Sequence, residues 1–546
     1  MRPLYILPTT AILFCLSHAS AQHYYPGGLG NANLVVWLNA GNSTSVTQSA
    51  GLVSQWSDLS GHAYHFTQST NAQKPVYGAT SGPNSRPGIA FTASSQQYMS
   101  TPSLPSSVAF TSGVSSLTVV NLSAAISSGF PRVYDFGNGA NNNCIWFGRF
   151  GTSNDLGYEG RTGATIAQTY TTTTPAIVNG THTIHEVVQQ GGTVNTLSAV
   201  AHYKAGATFT SGGTSGSTTF VPNTVTRSNN YIGRSNWAAD EYYGGTMSEI
   251  LFYNKALNTS ERRILENYLS AAWALSVSSS YYTPPTSTTY ATNLVGIGYT
   301  SVSDNFVTNA SGSTDGLGFS SGTGATGILN TAGYVMAAHN KQANTLNNNI
   351  TITNIGANLY KWNRSWNLQK TGGNSSGLIT VNFNFDDYNG TTPNNTYSYA
   401  ILYNASDGTF ASGTNKLIAP PATFSGNTVS FPVNATKLVN GYYTLVWSTT
   451  IILPFVVRAP ATTRQSDSPL LQLYPNPVVN VLHVTGGAMT GNSAIRIINT
   501  CGQVVKTAKQ SVVGMMEIDM ADLARGFYTA DIYTGKASYK QKIIKR

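Results

Sequence analysis

From residue 34 onward the chain is built of short runs of alternating apolar and polar residues, each closed by Gly, Ser, Thr or Asn, and one stretch departs from that rhythm. A period of two is what a strand needs when one face is buried, and the clustered small residues supply the turns. LVVWLNA (34–40), SLTVVNLS, HTIHEVVQ, TLSAVAHYKA and TMSEILFYN read as strands in the first half; NLVGIGYT, GYVMAAHN, GLITVNFNF, YSYAILYN and GYYTLVW continue the pattern. Only 9% of residues are charged, but 41% are hydrophobic, with 31 Tyr and 20 Phe, which is enough apolar surface to build cores and excludes a disordered chain. The expected fold class is all-β, a set of multi-domain antiparallel β-sandwiches. A chain of 546 residues exceeds a single core, so two to four domains are expected. No regular repeat suggests a solenoid or propeller.

The exception is a helix at roughly 259 to 274. Asn258 stands at its N-cap with Glu261 three positions on, the spacing of a capping box. Ile264, Leu265, Tyr268, Leu269, Ala272 and Trp273 fall on one face, which should dock on a sandwich.

Charge and cysteine content exclude several classes. From residue 473 on, nine basic side chains face four acidic ones, and Arg2 adds one, so +3 of the net +9 is left to residues 22–472. That region has no basic stripe, so no nucleic-acid partner is expected. Cys15, Cys144 and Cys501 are too few and too scattered for a disulfide framework or a cysteine-based zinc site.

Residues 1–21 read as a signal peptide: Arg2, an apolar stretch from Leu4 to Leu16, and small residues at Ala19 and Ala21, with cleavage expected before Gln22. A lipoprotein signal at Cys15 needs a small preceding residue, and Phe14 is bulky. After cleavage no apolar run reaches about 18 residues, so no transmembrane segment is expected in the mature protein. The expected location is secreted, extracellular or attached to the outer-membrane surface.

Behind a polar linker (458–472), residues 473–546 read as a small immunoglobulin-like β-sandwich, with SAIRIIN and QVVKTAK as a hairpin about Thr500-Cys501-Gly502. LYPNPVVNVLHV, IINTCGQVVK, IDMADLARGFYTADIY and the terminal KIIKR resemble, in order and spacing, the type A C-terminal sorting domain of the type IX secretion system. The resemblance implies a Bacteroidota source and two partners, the type IX secretion machinery and a surface sortase that removes the tail and joins the mature protein to a surface glycolipid. It assigns Tyr474, Pro475, Asn476 and Pro477 to the entry motif, Gly502, Leu523, Gly526 and Tyr528 to the later motifs, and Lys545 with Arg546 to the basic end.

In the first large domain (22–280), VVWLNA, QWSDLSGHAYHFTQ, RPGIAF, NNYIGRSNW and GTMSEILFYNKALNTSERRILENYL resemble the laminin-G-like, concanavalin A-like lectin/glucanase fold. The resemblance implies a jelly roll that serves lectin-like, adhesive or glycosidic proteins, often with a calcium ion held by Asp and Asn side chains and carbonyls; the sequence yields no ligand set for it, and the metal ligands are unknown. A retaining glycosidase of this type needs carboxylates at alternate strand positions. None are present: Asp240-Glu241 and Asp386-Asp387 are adjacent and would point to opposite faces of a strand, and Glu249 sits alone, read as a strand-edge or helix-facing hydrogen-bond partner. No HExxH, GxSxG or phosphate loop occurs. His62, His65, His182 and His185 read as packed or solvated imidazoles rather than metal ligands.

Sugar binding calls for aromatic faces beside amides and carboxylates. Asn236, Trp237, Asp240, Tyr242 and Tyr243 provide this mixture in one loop, and Trp146 follows three asparagines; these are the ligand-binding candidates, whereas Trp37 and Trp56 read as core. A second β-sandwich (285–457) follows a Pro/Ser/Thr/Tyr segment, with Trp362 and Trp366 read as one face of a strand and as core. The function expected from the sequence is a non-catalytic surface protein binding extracellular glycan. The alternatives are a glycoside hydrolase or lyase acting on extracellular polysaccharide, and a structural or adhesive protein with a protein partner.

Overall fold

The alternating segments pair as strands in the computed structural model. It describes residues 24–448 and 472–546, except 125–128, 165–169, 173–174, 210–217, 287, 310–313, 323–326, 330, 343–345, 352–357, 374–375, 387–392, 412–413, 419, 421, 486–492, 500–502, 510–514 and 534–537. The signal residues Ala19, Ala21 and Gln22, the linker up to residue 471 and Gly502 therefore lie outside the described residues. Two compact units divide at residue 458.

The first unit opens with a two-sheet sandwich. Its back sheet runs Leu34–Asn39, Gly245–Tyr253, Gly113–Leu122, Thr183–Gln190 and Leu197–Lys204, every pair antiparallel. Its front sheet runs Leu156–Gly160, Ile145–Arg149, Arg132–Gly137, Asn229–Ile232, Met99–Thr101, Phe66–Thr67, Leu52–Trp56 and Val46–Ser49. Gly88–Phe91 joins the two by pairing with Gly245–Tyr253 and with Val76–Gly78. Alternation sorts the back sheet cleanly. Val36, Leu38, Ile250 and Phe252 enter the core between the sheets, where Phe252 meets Tyr134 and Phe136 at 5.3 and 5.2 Å. Trp37, Leu251 and Tyr253 point the other way, into a second core.

The helix Thr259–Trp273 occupies that second core. The capping box forms: the Asn258 side chain accepts from the Glu261 amide, and Glu261 accepts from the Asn258 amide. Ile264, Leu265, Tyr268, Leu269 and Trp273 are buried, as the spacing predicts. The surroundings correct the expected picture, because the helix does not dock on one sandwich alone. Leu294, Val295 and Ile297 of the strand Thr292–Ser301 belong to the same core, and Asp304 accepts from the helix amides of Thr259 and Ser260 at 3.1 and 2.8 Å. Burial pushes the Asp304 carboxyl up, but these bonds outweigh it and hold it below the usual range. The opposite helical face is polar yet also buried. Arg262 pairs with Glu186 and Glu266, and Asn267 accepts from the amides of Tyr281 and Tyr282 at 2.7 and 3.0 Å.

The second sandwich follows. One sheet centres on Gly333–His339, Trp366–Gly372 and Gly441–Ser448; the other runs Leu317–Ser321, Leu378–Asn384, Thr428–Asn434 and Thr423–Ser425. Trp362 and Trp366 do not share one strand. They end Asn358–Trp362 and begin Trp366–Gly372, both fully buried, with ring centroids 6.2 Å apart beside Phe383.

Within the first sandwich, QWSDLSGHAYHF is shaped by one carboxylate. Asp58 accepts from the amides of Trp37, Ser60 and Tyr64 and from the Ser60 hydroxyl, at 2.7–3.0 Å. Asp58→Asn turns one acceptor oxygen into a donor facing donors. The expected result is a loss of about 2–3 kcal/mol in urea unfolding of the full chain, and a loss under 0.5 kcal/mol would contradict this role.

The C-terminal unit consists of a three-stranded sheet (Gln472–Tyr474, Val481–Thr485, Met515–Asp519) and a four-stranded one (Val504–Lys509, Ala494–Asn499, Gly526–Tyr533, Ser538–Lys545) around Leu482, Val484, Ile495, Ile497, Ile532 and Ile543. Among the described residues no helix is long and apolar enough to cross a membrane.

Candidate functional site

The back sheet shares its outer core with the helix and the second sandwich, so a ligand face is sought on the front sheet, which among the described residues is open at Thr67, Ser100 and Tyr231 and covered at Asp135, Trp146 and Glu159. Register defines one row across it: Thr67, Ser100, Tyr231, Asp135, Trp146 and Glu159 lie opposite one another on successive strands. A loop from Gly233 to Gly245 folds back over half of this row. Both ends of the loop require glycine. At Gly233 (φ +79) a Cβ would lie 2.9 Å from the Phe91 ring, and at Gly245 (φ +136) it would lie 2.1 Å from the Asn121 carbonyl.

Two charged groups fasten the loop. Asp135 is buried; its carboxylate accepts from the Asn236 amide at 2.9 Å and from the Asn236 side chain at 2.8 Å. Burial pushes the Asp135 carboxyl up to about 6, against the pull of Arg132 and Asn236. Arg132, also buried, lies 3.4 Å over the Trp146 ring and pairs with Asp240 at 3.3 Å. Trp237 then rests half-buried, with the guanidiniums of Arg132 and Arg161 at 5.7 and 5.5 Å, and Arg161 pairs with Glu159 at 2.8 Å.

The sequence candidates thus separate. Asn236, Trp237, Asp240 and Tyr242 gather on this face. Trp146 is on it too, but 2% exposed beneath Arg132, so it offers no ring to a ligand. Tyr243 turns to the other side, fully buried against Phe91, with its hydroxyl donating to the Asn121 carbonyl. The exposed rings expected at Trp146 and Tyr243 are not there. The sequence also missed what the open half of the row holds: Tyr98, Tyr231 and Tyr242, all half-buried, with Tyr98 5.8 Å from Tyr231 and 6.1 Å from Tyr242, beside Ser100, Thr67 and Arg234. Their signal was the period-two exposure of Asn229–Ile232 and Met99–Thr101, visible only once those strands are known to pair.

The carboxylates that do share a face, Asp135 and Glu159, stand two strands apart, about 10 Å of backbone. Both are almost wholly buried and committed to Asn236 and Arg161, so their oxygens are not presented to solvent. Asp240 and Glu241 diverge, to Arg132 and to the Gly129 amide. Asp386 bonds Asn427, and Asp387 lies outside the described residues. Glu249 faces the helix, accepting from both indoles of Trp37 and Trp273 and from Tyr268. His185 stacks on His202 inside the sandwich at 5.6 Å, neutral because burial lowers its pKa to about 3. His182 lies beside Asn121, and His65 accepts from the Asp58 amide. Among the described residues no three His, Cys, Asp or Glu side chains converge as a metal site. A cleft of about 270 Å³ opens between Phe91, Leu122, Pro131 and Glu241, small for a buried ligand, so the sheet face is the better candidate.

In the C-terminal unit the motif residues find physical roles. The Asn476 side chain donates to the Lys542 carbonyl and accepts from the Ile544 amide, both at 2.9 Å, while the Val478 amide and carbonyl bond Ile544 and Arg546. The entry motif thereby clasps the basic last strand. Pro475 and Pro477 are both cis, Tyr474 stacks on His483, and the Tyr528 hydroxyl donates to the Ala524 carbonyl. Leu523 packs at the edge of the core, Gly526 opens its strand, and Lys545 is buried.

Residues 472–546 match the family model of the secretion system C-terminal sorting domain. The chain is therefore a cargo of the type IX secretion system, exported to the cell surface or the extracellular space. No curated protein matches it. Among solved structures it is similar to the Ruminococcus gnavus IT-sialidase CBM40 (13% identity, 29% of this chain and 83% of that one, TM-score 0.22). It is also similar to Trypanosoma rangeli sialidase in complex with sialic acid (18%, 43% and 33%, 0.26) and to a GH54 α-L-arabinofuranosidase soaked with a cyclic sulfate inhibitor (11%, 64% and 80%, 0.28). Scores this low carry no argument about function.

Proposed function

We propose that this exported protein is a non-catalytic surface protein that binds glycan on the open half of the front sheet. The observation that carries the reading is the group of half-buried Tyr98, Tyr231 and Tyr242 beside the hydroxyls of Ser100 and Thr67, next to a loop fastened at Asn236 and Asp240. Aromatic faces pack on the C–H faces of sugar rings, and hydroxyls and amides take the sugar hydroxyls. The two-sheet sandwich with its terminal helix fits the laminin-G-like reading of the sequence. The partners of export are the secretion machinery and a surface sortase that removes the tail.

The test is native affinity-gel retardation of the full chain against a panel of neutral and acidic polysaccharides, with calcium and with chelator. Selective retardation is expected. Tyr231→Ala should weaken it roughly twofold to tenfold, as loss of one stacking ring does. Chelator sensitivity would add a calcium site. Absence of retardation on every polysaccharide would overturn the reading in favour of adhesion to a protein partner.

A further inference from the structure

Pairing of charges on the front face leaves one cation over. Arg132 is matched by Asp240 and Arg161 by Glu159. Arg234 has neither an ion pair nor a side-chain hydrogen bond among the described residues. Its position is nonetheless defined: the guanidinium carbon lies 4.9 Å from the Tyr98 ring centroid and 4.7 Å from that of Tyr231. Two rings that hold a guanidinium fix its plane without using any of its five N–H donors. The carboxylates in reach are committed elsewhere: Asp135, one strand from Tyr231, to Asn236, and Asp240 to Arg132 and Ser235.

We infer that Arg234 is an oxyanion-recognition residue, and that the glycan taken by this face carries a carboxylate or a sulfate ester. The inference rests on the proposed glycan site and names its ligand class. A planar fork with free donors accepts a carboxylate or sulfate through two parallel bonds, and a guanidinium already held by rings loses little freedom in doing so. With the oxyanion on Arg234, the sugar ring falls over Tyr231 or Tyr242, and Ser100 and Thr67 lie in the same row for its hydroxyls.

The test uses the full wild-type chain and matched pairs of probes. Polygalacturonate is compared with its methyl ester, and a sulfated galactan with its desulfated form, by affinity-gel retardation at two salt concentrations. At least one charged probe should bind about tenfold or more tightly than its neutral partner, the range of a charge-assisted hydrogen bond. Preference within the first pair identifies a carboxylate ligand, and within the second a sulfate. Arg234→Gln should erase the preference and Arg234→Lys should keep part of it, because the charge remains and the planar fork is lost. Equal binding of charged and neutral forms overturns the role of Arg234 and leaves the glycan site standing. Failure to bind any polysaccharide overturns the glycan site itself. The wild-type comparison decides between these outcomes even if a variant folds poorly.

Discussion

Glu249→Ala is expected to lower the stability of the large unit by about 3–5 kcal/mol, the range seen when a buried charged group is removed from its partners. Its carboxylate accepts from Trp37 at 2.8 Å, Tyr268 at 2.7 Å, Trp273 at 2.5 Å and Asn39 at 3.2 Å. Alanine leaves the buried donors of Trp37, Tyr268 and Trp273 without an acceptor and opens a void between the back sheet and the helix. Glu249→Gln should cost less, because one oxygen survives, and its cost should depend on pH. Burial lifts the Glu249 carboxyl to about 7, against the downward pull of its donors. A carboxyl with a raised folded pKa contributes stability that is full below its unfolded value and is lost as pH rises through the folded one. Glutamine has no proton to lose. The gap between wild type and Glu249→Gln should therefore narrow from pH 5 to pH 8, by at most about 1.4 kcal/mol per pH unit. Urea unfolding at both pH values checks this. A Glu249→Ala loss under 1 kcal/mol, or a pH-independent gap for glutamine, would sink the assignment.

Removing residues 472–546 should abolish surface display altogether, with the protein retained in the periplasm. The match of this segment to the sorting domain motivates the prediction, and the fold explains why the segment acts as a whole. Asn476 at its start holds the strand that ends it, so neither the entry motif nor the basic terminus is in place without the other. Protease shaving of intact cells, with fractionation, reads the outcome. Normal display of the shortened chain would refute the sorting role.

What was legible in the sequence was local. The capping box at Asn258 and Glu261 needs three residues of spacing and nothing else, and it forms where expected. Trp37 and Trp56 read as core because they fall at core positions of the laminin-G-like pattern that the sequence resembles, and both are buried. Glu249 read as a strand-edge or helix-facing partner, and the structure supplies donors from both the sheet and the helix. The misreadings are those that depend on register. Trp146 looked exposed beside three asparagines, but its strand pairs centrally with Arg132–Gly137, and Arg132 closes over it. Tyr243 follows Tyr242 directly, yet the loop packs Tyr242 against Tyr98 and Tyr243 against Phe91. Asp135 and Glu159 share a face only because Trp146 stands between them in the row, 11 residues from one and 13 from the other. No composition or motif announces Tyr98 beside Tyr231, brought together from 133 positions apart by the pairing of two short strands.

The helix between the two sandwiches makes them depend on each other. Ile264, Leu265 and Tyr268 share one core with Leu294, Val295 and Ile297, and Asp304 closes the helix N-terminus from the far side. A fragment ending near residue 282 would leave the first sandwich and its helix with one wall of their shared core missing. Cutting between the halves would thus bare apolar side chains that each half covers for the other, whereas the C-terminal unit closes on a core of its own.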